Sequence, residues 1–130
     1  MNSKLLLSVS AVVMGAAGLA GSFFPHELLT SLGVPASGML PVLVQLLAAL
    51  YFAFAMVNWA ARGSLIGGIY NRPVALGNLT HFVIGALAVA KAAVAAERDA
   101  QILAAVAVVY ALFAIAFTLL FFRSPVQRAA

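Results

Sequence analysis

Four long stretches of this chain are almost free of charge, and that feature constrains the fold more than any other. Residues 5–24, 39–61 and 101–122 hold no Asp, Glu, Lys or Arg, and residues 73–96 hold only Lys91. A helix needs about 20 mainly apolar residues to cross the hydrocarbon core of a bilayer. Each stretch meets that length. Hydrophobic residues make up 65% of the 130, and charged residues only 8%. A soluble domain carries about a quarter charged residues. A chain this short would also leave too much of its apolar surface outside a single core. The reading is all-α: one membrane domain over residues 1–130, a four-transmembrane-helix bundle. Cysteine is absent, so disulfides, thiolate metal sites and thiol catalysis are excluded.

The first stretch has a rival reading. Lys4, the apolar run and the small residues Gly18 to Ser22 fit a cleavable signal peptide. Retention is preferred, because Phe23 and Phe24 extend the run and Pro25 then ends it. In a four-span arrangement, Lys4, Arg62, Arg72, Arg123 and Arg128 fall on one side. Arg98 falls on the other with Glu27, Glu97 and Asp99, and Lys91 lies near it. Lys and Arg are in excess in cytoplasmic loops. The expectation is a multi-pass protein of the cell inner membrane with both termini cytoplasmic. The net charge of +4 then records topology. No nucleic-acid partner is expected, because the basic residues are scattered over short segments and form no folded basic face.

The connecting segments add detail. Residues 25–33 predict a short interfacial helix after the first span, with Leu28, Leu29 and Leu32 at one-face spacing and Gly33 as its stop. The inner loop from Arg62 to Arg72 is rich in glycine and bounded by arginines. It lacks P-loop spacing and no strand precedes it. An interfacial loop is the simpler reading, with Tyr70 in the aromatic belt and the arginines near lipid phosphates. Arg62, Arg72 and Lys91 are therefore candidate lipid head-group contacts. Lys91 most simply snorkels outward.

The first span, the run from Phe24-Pro25-His26-Glu27-Leu28-Leu29 to Leu32-Gly33-Val34-Pro35, the second span ending Trp59-Ala60-Ala61-Arg62 and two closely spaced later spans resemble the DoxX-like group of small bacterial membrane proteins. The resemblance covers most of the chain and rests on hydropathy with Phe-Pro and Leu-Gly punctuation. It implies a four-helix membrane bundle and, for some members, association with oxidoreductase complexes and quinones. It carries over no catalytic residue.

Polar side chains inside spans are costly in hydrocarbon and tend to face the bundle interior. Tyr51 and Asn58 stand seven apart, and Asn78 and His81 three apart, so each pair shares a helical face. A rise of about 1.5 Å per residue puts Tyr51, His81 and Tyr110 at matching depth near the membrane centre. Asn58 and Asn78 lie nearer the cytoplasm, and Gln45 nearer the outer edge. Tyr51, Asn58, Asn78, His81 and Tyr110 are the candidate ligand-binding residues, with interhelical hydrogen bonding as their structural alternative. Gly15, Gly18 and Gly21 in the first span, and Gly77 and Gly85 in the third, are expected to let helices approach closely.

Haem is disfavoured, because the only second histidine, His26, lies outside the spans. A metal site is disfavoured because one buried His without carboxylates offers too few ligands. No carboxylate pair, activated nucleophile or nucleotide loop is present, so no catalytic residue is assigned and the balance leans away from an enzyme. Three functions follow in order. The first is a non-catalytic accessory or structural subunit of a membrane complex, or a homo-oligomer. The second is a binder of a lipid, quinone or other hydrophobic ligand. The third is a small membrane oxidoreductase or transporter component centred on His81.

Overall fold

The computed structural model describes residues 2–63 and 72–122. It contains α1 (Ser3–Phe23), α2 (Pro25–Ser31), α3 (Leu40–Ala61), α4 (Arg72–Ala95) and α5 (Ala100–Phe121), with no strand among the described residues. The glycine-rich segment with Tyr70, and Arg123 and Arg128, lie outside the described residues. α1, α3, α4 and α5 are 21, 22, 24 and 22 residues long and apolar enough to cross a membrane. At about 1.5 Å per residue they run roughly 32–36 Å, just over the roughly 30 Å of a hydrocarbon core. Their ends fall within two residues of those expected from hydropathy.

Local chemistry accounts for these ends. Asn2 caps α1, its side-chain oxygen accepting from the backbone N–H of Lys4 at 3.1 Å and of Leu5 at 3.4 Å. An amide oxygen here satisfies N–H groups that have no partner within the helix. Pro25 starts α2, where a missing N–H costs no helical bond. Gly33 adopts φ +70° after α2. Its N–H donates to the Thr30 carbonyl at 3.0 Å, and the Val34 N–H donates to the Leu29 carbonyl at 2.9 Å. This paired return is a Schellman motif, and glycine takes its left-handed position without a Cβ penalty. Between α4 and α5, Asp99 supplies the left-handed residue, with φ 62°.

The three leucines of the segment 25–33 are not equally covered. Leu29 is buried, whereas Leu28 and Leu32 are exposed. Positions four apart nearly align on a helix, but the next residue is turned by about 100°. Leu29 therefore points inward where α2 lies against α1 and α3.

The helices form two compact units. In the first, α1 packs against α3. Leu7, Ala11, Met14, Gly18 and Gly21 are all buried. Their alternating spacing of four and three is a helix-pairing seam. Ala48 and Ala55 are buried on α3. A Cβ placed on Gly18 would lie 2.8 Å from the Phe52 amide nitrogen and 2.9 Å from the Ala48 carbonyl oxygen. The two backbones thus approach where no side chain intervenes, which maximises van der Waals contact between membrane helices. In the second unit α4 packs against α5. Ala75, Asn78 and Phe82 are buried on α4, and Ala114, Phe117 and Leu120 on α5. Many large apolar side chains are exposed, among them Val12, Leu46, Leu50, Ile84, Leu87, Leu112 and Ile115. Such a surface suits hydrocarbon better than water.

Candidate functional site

Each unit carries its own polar centre. In the first, Asn58 is fully buried on α3. Its side-chain amide donates to Ser10 Oγ on α1 at 3.1 Å and approaches Met14 Sδ at 3.9 Å. The Ser10 hydroxyl donates in turn to the Leu7 carbonyl at 3.1 Å. An amide, a hydroxyl and a backbone carbonyl thus form a chain across the two helices. Such a chain satisfies groups that are costly to bury unpaired. Tyr51 lies half-buried on the same helix as Asn58, seven residues earlier. Near the other end of α3, the Gln45 amide donates to the Ser22 carbonyl at 3.3 Å.

Ser10 was not singled out from sequence. A serine among apolar residues in a span is a weak signal, because its hydroxyl can bond back to its own helix. A sharper clue was available: Ser10 stands three residues after Leu7 and four before Met14, on the stripe that also carries Gly18 and Gly21.

The second unit holds Asn78, His81 and Tyr110. Asn78 is fully buried, and its amide donates to the Val74 carbonyl one turn back at 2.9 Å. His81 and Tyr110 are half-buried, with ring centroids 5.7 Å apart and planes inclined at 42°. The imidazole and the phenol therefore meet ring against ring. Phe82, almost fully buried, lies at the centre of this group. It stacks on Phe113 at 4.7 Å and on Phe117 at 5.7 Å, and meets the Tyr110 ring edge-on at 5.4 Å. Offset stacks and edge contacts are the favoured aromatic geometries. A Cβ on Gly85 would overlap the Tyr110 ring. Tyr110 thus rests directly on the α4 backbone.

The phenylalanines were missed as partners of this site. Phe113 and Phe117 lie three and seven residues after Tyr110, on its own face of α5. Phe82 is a better marker of the buried face of α4 than His81, which stands at the edge of that face. Tyr51 and Asn58 thus belong to the first unit, and Asn78, His81 and Tyr110 to the second.

The candidate head-group contacts differ from one another. Arg62 follows α3, and its guanidinium carbon lies 3.2 Å from the centroid of the Trp59 ring. Arg72 is exposed at the first residue of α4. Lys91 is exposed near the other end of that helix. It continues a stripe of exposed Ile84, Leu87 and Val94. Among the described residues no group of three or more His, Asp or Glu side chains is placed to hold a metal ion.

Compared with protein-family models, curated proteins and solved structures, the chain finds no match in any of the three.

Proposed function

We propose that this protein is a non-catalytic accessory or structural subunit of a complex in the cell inner membrane. Both termini lie in the cytoplasm, on the side of Lys4, Arg62, Arg72, Arg123 and Arg128. The observation that carries this reading is the Asn58–Ser10–Leu7 hydrogen-bond chain. There, deeply buried polar groups serve helix pairing. The broad exposed apolar surface supports the same reading, since it offers helix faces to lipid and to neighbouring spans. The resemblance to DoxX-like proteins agrees with an accessory role.

Purification from native membranes in a mild detergent, followed by mass spectrometry of the intact assembly, tests the proposal. A stoichiometric partner subunit or a defined homo-oligomer is expected. A monomer carrying no partner at any detergent concentration would overturn it.

A second reading is favoured by one feature. The half-buried His81 and Tyr110 rings and the phenylalanines beside them form an aromatic cluster that carries an imidazole and a phenol. That chemistry suits a quinone head group or another hydrophobic ligand with a carbonyl. A small molecule retained in the same purification, and lost on replacing His81, would favour this reading over the first.

A further inference from the structure

Trp59 and Arg62 stand three residues apart at the end of α3, close enough on one helix face for their side chains to meet. The guanidinium carbon sits 3.2 Å above the centroid of the Trp59 ring. This cation–π stack holds one flat face of the guanidinium and fixes its plane. The N–H groups of arginine radiate from the edges of that plane, so stacking leaves them free to donate. Arg62 is half-buried: Nη1 is shielded from solvent and has no hydrogen-bond partner among the described residues, which leaves the accessible remainder of the guanidinium to meet a group from outside. A positive charge at the C-terminus of α3 complements the helix dipole. The dipole explains a cation at this position, but it does not satisfy the edge of the guanidinium.

The depth of the stack identifies what does. α3 has 22 residues and runs about 33 Å, slightly more than the roughly 30 Å hydrocarbon core. Its last turn therefore stands at the level of the lipid head groups. Tryptophan is enriched at this level because its ring is apolar and its N–H is polar. Trp59 is 48% exposed, which leaves part of the indole open to the glycerol and upper acyl region. Arginine binds phosphate through two parallel N–H···O bonds, a geometry that lysine does not reproduce.

We propose that the Trp59–Arg62 stack binds the phosphate of an anionic phospholipid. Trp59 fixes the guanidinium plane and covers the upper lipid chain, and the edge of Arg62 grips the phosphate oxygens. Arg72, exposed at the start of α4, adds only general positive charge. The leaflet follows from the topology proposed above, but the chemistry of the site is the same in either leaflet.

The test uses the full-length chain in nanodiscs of phosphatidylcholine doped with phosphatidylglycerol, with retained lipid counted by native mass spectrometry. Arg62→Lys keeps the charge and loses the stacked fork. Through the lost fork and stack it is expected to lower phosphatidylglycerol retention by about fivefold, which corresponds to about 1 kcal/mol. Trp59→Leu is expected to do the same, and Trp59→Phe to retain more than Trp59→Leu. Arg72→Gln is expected to have a smaller effect, and excess inorganic phosphate to leave the lipid in place. Wild-type retention by Arg62→Lys, or equal losses in Arg72→Gln and Arg62→Lys, would overturn the site in favour of diffuse charge. Displacement by inorganic phosphate would replace the lipid with a free anion as the ligand. Both measurements use the isolated chain, so a missing partner subunit does not affect them.

Discussion

The Asn58 amide on α3 donates a 3.1 Å hydrogen bond to the Ser10 hydroxyl on α1, although 48 residues separate the two in sequence. Both side chains are fully buried. Interhelical hydrogen bonds within membranes average about 0.6 kcal/mol, with a maximum near 1.7. A double-mutant cycle of Ser10→Ala and Asn58→Ala, read by denaturant unfolding in detergent, is expected to give a coupling of about 0.5–1.5 kcal/mol. Strictly additive losses would mean that the pair contributes nothing as a pair.

The α1–α3 seam distinguishes between neighbouring glycines. A methyl group at Gly18 would press on the α3 backbone, whereas one at Gly15 would meet the Ala55 Cβ at an ordinary 3.5 Å. Gly18→Ala is expected to destabilise the protein by about 1–3 kcal/mol, the usual range for overpacking. Gly15→Ala should be tolerated and even favoured by helix propensity. Thermal unfolding of the two variants side by side checks this, and equal melting temperatures would show that the backbones are not in close contact.

Around His81, two kinds of substitution separate packing from ligand binding. Gly85→Ala displaces the Tyr110 ring and leaves His81 itself unsubstituted, and is expected to cost about 1–3 kcal/mol of stability. If His81 is structural, His81→Gln preserves stability better than His81→Phe, because an amide keeps a donor and an acceptor. If it serves a ligand, both His81 variants release the bound molecule while the fold survives. Thermal stability and extracted small molecules, measured on one preparation, distinguish the outcomes.

Topology is testable in cells. Reporter fusions at Ala130 and at Asp99 are expected to give opposite signals, with Ala130 cytoplasmic, because the basic excess lies on that side. A periplasmic signal from Ala130 would reverse the proposed orientation.

Much of the fold was legible from sequence because it is governed by local quantities. The four span lengths follow from the thickness of a bilayer, which hydropathy measures directly. The break at Pro25 and the stop at Gly33 follow from the backbone chemistry of those two residues, and the structure places both as expected. The sequence by itself therefore determined how many helices the described residues form, how long they are and where they end. It did not determine which face of each helix is buried. In a soluble helix, contrast between apolar and polar faces reveals the buried side. Here the exposed faces are also apolar, as Leu50, Ile84 and Leu112 show, so periodicity carries little of that signal. Only the tertiary structure decided that Ser10 meets Asn58, that Gly18 admits the α3 backbone, and that Phe82, rather than His81, lies at the centre of the aromatic group. Each depends on the rotation and register of one helix against another. Those are set by close packing and a few interhelical hydrogen bonds, because lipid competes equally for every apolar side chain.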